Sequence, residues 1–115
     1  MREPSEQVLR KLERVLSDAV EERRGIVVYA RLQPVEMDRM ARRVEREALG
    51  RVHDLLPETT VDERVLGVRR RLDRMREELA ELEEHGEIRE TSRRMQSDEI
   101  VWQAFEDIAG MLGVA

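Results

Sequence analysis

The chain has 115 residues, about the length of one domain, and its apolar content of 40% is too high and too periodic for wholesale disorder. A net charge of −5 excludes a chain built as a whole to coat nucleic acid or an anionic membrane, although local basic stretches remain. Cysteine is absent, which excludes disulfides, thiolate catalysis and cysteine-ligated zinc.

No apolar run is long enough to span a bilayer. The opening MREPSEQVLRKLERVL has no uninterrupted apolar segment of the kind a secretory signal needs, so a cytoplasmic location is expected. Arginine outnumbers lysine 20 to 1 and asparagine is missing. That bias fits a thermophile and fits GC-rich coding equally well.

A first helix is predicted over 5–31, with Ser5 as N-cap and Glu6 in the first turn. Val8, Leu9, Leu12, Val15, Leu16, Ala19 and Val20 recur at helical spacing on one face. The segment GIVVYARLQP, Gly25 to Pro34, reads two ways. Gly25 ends the helix and leaves a β-rich run over 26–32, or the helix continues through Ile26 and Ala30. A lone strand needs a partner and no second strand is evident, so helix is favoured.

Pro34 suits the first position of a second helix over 34–56, whose stripe is Met37, Met40, Ala41, Val44, Ala48, Val52, Leu55 and Leu56. Pro57 stops it, and the short PETT connector makes the second and third helices antiparallel neighbours. Thr60-Val61-Asp62-Glu63 matches a capping box and opens a third helix over 60–85, with Gly86 as its C′ residue. Residues 87–96 read as a polar connector with room for a short turn of helix, and Ser97 as the cap of a fourth helix over 97–112. The whole, 1–115, is expected to be one all-α domain: a four-helix antiparallel bundle with a long, coiled-coil-like third helix.

The third helix carries the most specific pattern. Val61, Val65, Val68, Leu72, Met75, Leu79 and Leu82 are spaced 4, 3, 4, 3, 4, 3, the narrow seam of a coiled coil. Five arginines fall between Arg69 and Arg76, and six glutamates between Glu77 and Glu87. This order opposes the helix dipole. Set against an antiparallel mate, the flanking Arg69, Arg71, Arg76, Glu78 and Glu83 become orientation charges. The mate is either a second copy or a neighbouring helix of the same chain. The principal expectation is therefore a non-enzymatic oligomerisation or adaptor protein, self-associating as a dimer through this seam.

Two other functions compete. Arg39, Arg42, Arg43 and Arg46 stand at i, i+3, i+4 and i+7, and arginine forks suit phosphate oxygens, so a nucleic-acid contact is the first alternative. Glu77-Glu78-x-x-Glu81 resembles the first half of the E-E-x-x-E … E-x-x-D pattern of helical MazG-type nucleotide pyrophosphatases, which implies Mg²⁺ held against a triphosphate. The second half is missing here, because Glu99-x-x-Trp102 puts tryptophan where the aspartate belongs. His53 and His85 lack the carboxylate three residues earlier that a di-iron bundle uses, so no cofactor or metal is expected. Trp102, Phe105 and Met111 belong to a wide apolar face on the last helix, read as core or as a docking face for a protein partner.

Overall fold

The computed structural model describes residues 4–29, 33–85 and 90–114. They form an all-α bundle of four helices, with no strand among the described residues: α1 (Pro4–Tyr29), α2 (Pro34–Leu55), α3 (Glu63–Glu84) and α4 (Glu90–Met111). No helix of the described residues is long and apolar enough to cross a membrane.

Several helix ends differ from the sequence expectation, each for a local reason. α1 begins at Pro4, so Ser5 is a buried first-turn residue and not the cap. The helix runs on through Ile26 to Tyr29, which settles that part of the ambiguous run as helix; 30–32 lie outside the described residues. α2 starts at Pro34 after an extended Gln33, as a proline at the first helical position favours. The cap of α3 is Asp62, not Thr60: its carboxylate accepts from the backbone N–H of Arg64 (2.9 Å) and of Val65 (3.4 Å). Thr60 acts one step earlier, its hydroxyl accepting from the Asp62 N–H at 3.2 Å. Gly86, the expected C′ residue, lies outside the described residues.

The largest correction concerns α4. It starts at Glu90, so most of the expected polar connector is helix and Ser97 sits inside it. α3 and α4 are then equal, at 22 residues each, and α3 does not outrun its neighbour. At its other end α4 stops on a Schellman motif. The Val114 N–H bonds to the Ala109 carbonyl, the Gly113 N–H bonds to the Gly110 carbonyl, and Gly113 takes a left-handed φ of 73° that glycine adopts without strain.

α1 lies mainly along α2 and α3 along α4, and the two pairs meet chiefly where α2 touches α4. Arg23, late in α1, meets Glu45 of α2, and Arg71, early in α3, meets Asp107, late in α4. Both pairings are those of antiparallel hairpins. Leu12 and Leu16 of α1, Val52 of α2, Val65 and Val68 of α3, and Ala104, Phe105 and Ile108 of α4 close a common aliphatic core at 0–1% exposure.

This core occupies only part of each hairpin. The buried apolar residues of α3 run from Val65 to Leu72, and those of α4 from Val101 to Leu112. Beyond it Val27, Val35 and Met40 on one hairpin, and Met95 on the other, are exposed. The radius of gyration, 15.5 Å, exceeds the roughly 13 Å of a compact chain this long, and the extents are 51 × 38 × 18 Å. The molecule is flat, with hairpin ends that part company past the shared core.

Candidate functional site

The heptad seam divides at this parting. Val61 precedes the Asp62 cap and is 80% exposed. Val65, Val68 and Leu72 are buried in the chain's own core. Met75 and Leu79 are half-buried at its edge, and Leu82, one turn on, is half-buried too. The first half of the seam is thus taken up within the chain.

The second half lines a groove between α2 and the α3–α4 hairpin. Its upper part is bounded by Arg46, Leu49 and Gly50 of α2, Leu72, Met75 and Arg76 of α3, and Val101 of α4. Its lower part is bounded by Leu79, Ala80, Leu82 and Glu83 of α3 and by Arg93, Arg94 and Ser97 of α4, with Arg46 common to both. An apolar strip edged by charge at helical spacing is what a docking surface for an amphipathic helix consists of. Gly50 leaves one wall low: a Cβ built on it meets nothing within 4 Å.

The backward charge order of α3 resolves into separate local duties. Arg69 donates to the Glu58 carbonyl and ties α3 to the preceding connector. Arg71 is buried at 7% and bonds Asp107 of α4 at 2.7 Å, which holds that carboxyl below the usual aspartate range. Arg74 pairs with Glu78 one turn along, at 3.3 Å. Arg76 and Glu83 are different. Both are exposed on the groove, and neither has an ion pair among the described residues.

A second polar cluster joins α1, α2 and α4. Glu45 of α2 is 1% exposed, and its Oε1 lies 3.3 Å from Arg23 Nε of α1. Arg23 Nη1 also donates to Glu106 of α4 at 2.9 Å. Trp102 Nε1–H donates to the same Glu106 oxygen at 2.8 Å, and the guanidinium carbons of Arg23 and Arg42 lie 4.9 and 5.7 Å from the centre of its ring. Burial pushes the Glu45 carboxyl above the usual range against the pull of Arg23. Glu106 is held below it, first by the Trp102 hydrogen bond and then by Arg23. The sequence reading missed this cluster, although a signal existed: Glu45 falls in helical register with Ala41, Ala48 and Val52, on the apolar face.

The cluster also breaks up the arginine stripe. Arg42 turns inward to Asp38 (2.9 Å), Asp98 and Trp102, and Arg46 bonds Asp98, whereas Arg39 and Arg43 stay exposed. Of the apolar residues on α4, Phe105 is core at 1% exposure, Met111 is 46% exposed, and Trp102, at 37%, is engaged by its two arginines. Glu77 and Glu81 face solvent and Glu78 is spent on Arg74. Among the described residues no three His, Cys, Asp or Glu are grouped so as to hold a metal ion. His53 stands exposed beside Asp54, and His85 is exposed at the end of α3. No family model, curated protein or solved structure matches the chain.

Proposed function

We propose that this protein is a non-enzymatic helical oligomerisation or adaptor protein that receives an amphipathic helix in the groove along α3. One observation carries the reading. The heptad does not end with the core: Met75, Leu79 and Leu82 continue it into a solvent-open groove lined by three helices. Met75 and Leu79 already pack against the edge of the chain's own core, and the apolar surface that they and Leu82 leave open on the groove is what a partner helix would cover.

Substituting Gly50 tests the reading directly. Gly50 is exposed on the groove wall and a Cβ built on it meets nothing within 4 Å, so Gly50→Phe sets an aromatic ring at the groove, and it removes a glycine from a helix interior. The expected result is a folded chain, by circular dichroism, whose size by light scattering is reduced to the monomer. Leu79→Asp gives the same outcome by a different route, placing a charge on the strip. Association unchanged in both variants refutes the groove as the binding site.

A further inference from the structure

We infer that the groove's occupant is the same segment of a second copy of this chain, running antiparallel and centred near Ala80. The inference rests on the groove reading above and adds the partner and its register.

The argument comes from the charges that the fold leaves unused. Arg69, Arg71, Arg74 and Glu78 have partners within the chain. Among the described residues Arg76 and Glu83 have no ion pair, and of the α3 charges without one they are the two that line the groove; they stand one heptad apart, at equivalent positions each following a seam residue, Met75 and Leu82. In an antiparallel helix pair the two kinds of seam position pack against each other, and like flanking positions face each other beside them. A twofold axis near Ala80 therefore sets Arg76 of each copy against Glu83 of the other, two identical ion pairs from one sequence feature. A parallel pair would bring Arg76 beside Arg71 and Glu83 beside Glu78 of the other copy, which repels. This self-complementarity is what a closed, isologous dimer requires, in which the same patch serves both partners.

The same axis suits the seam. Leu79 of one copy packs against Leu82 of the other, and Leu82 against Leu79, so the half-buried seam residues beyond the core cover one another. The low wall at Gly50 gives the incoming helix room beside Met75. The contact is short, so the dimer is of modest affinity and forms as concentration rises.

Charge exchange tests the register. Sedimentation equilibrium is run on the native chain, on Arg76→Glu, on Glu83→Arg and on the double variant. Each single reversal converts two attractive contacts into two repulsive ones and is expected to raise Kd about ten-fold at low salt. The double variant restores both pairs with the signs exchanged and is expected to return Kd to within about three-fold of native. Single reversals without effect, or a double variant no better than the singles, overturn the register. If Gly50→Phe still abolishes association in that case, the groove reading survives and only the antiparallel register is lost. A native chain that stays monomeric at every concentration reached also overturns the inference.

Discussion

Replacing Arg23 with methionine isolates the energetics of the α1–α2–α4 junction. Methionine keeps an unbranched apolar stem and removes the cation. Glu45, 1% exposed, then loses its 3.3 Å contact with the guanidinium, while its Oε2 already has no hydrogen-bond partner. Breaking a buried ion pair by removing one partner costs about 3–5 kcal/mol. Two features reduce that here: the Arg23 side chain is 27% exposed, and Arg42 still acts on Glu45 through space. The expected loss at neutral pH is about 2–3 kcal/mol, a large share of the 5–15 kcal/mol typical of a domain. Urea unfolding measures it, with the fluorescence of Trp102, the one tryptophan in the chain, as the probe. The loss should shrink on mild acidification. The pKa of Glu45 is raised in the folded state, so the native protein takes up a proton that the unfolded chain does not, and a protonated Glu45 has no need of Arg23. A loss below about 0.5 kcal/mol, or one equal at neutral and mildly acidic pH, refutes the assignment of Glu45 as a buried charge held by Arg23.

Glu45→Gln removes the same charge from the other side. It should leave neutral-pH stability unchanged or raise it, and should abolish the gain in stability that the native chain shows as pH falls from neutral toward the raised Glu45 pKa. At stronger acid both chains should lose stability, because Glu106 and Asp107 have lowered pKa values and their contribution disappears as pH falls through them; a pH series of urea midpoints shows both limbs. Asp62→Ala removes the α3 cap and should cost about 1 kcal/mol in the same assay, with Thr60→Ala costing less. Phe105→Ala empties the largest fully buried position and should cost about 3–5 kcal/mol, read as a drop in urea midpoint or, at the upper end, as loss of cooperative unfolding.

The candidate site was half legible in the sequence. Heptad spacing identified every seam residue from Val65 to Leu82, and the sign change along α3 identified its flanking charges. Neither could say which half of the seam the chain would use itself. Spacing records that a face is apolar but not what covers it, and that depends on how far the α1–α2 pair extends along the α3–α4 hairpin. The early start of α4 escaped for a related reason. The stretch ETSRRMQ has no apolar stripe, and periodicity detects the burial of a helix rather than the helix itself. Arg93 and Arg94 of that stretch line the groove.

What the sequence determined by itself was local. Helix positions followed from apolar period, Pro34 and Pro57 punctuated α2, and the carboxylate cap and glycine terminus of α3 and α4 lay in short segments whose chemistry acts within a few residues. What only the tertiary structure decided was the assignment of charges and surfaces. Arg71 could have served as an orientation charge until Asp107, 36 residues away, claimed it, and Glu45 could have been a solvent residue until the fold buried it beside Arg23. An ion pair needs its partners within a few ångströms, and a linear pattern carries no such distance between distant residues. Arg76 and Glu83 are placed by the same route: the fold sets both on the groove, without an ion pair among the described residues.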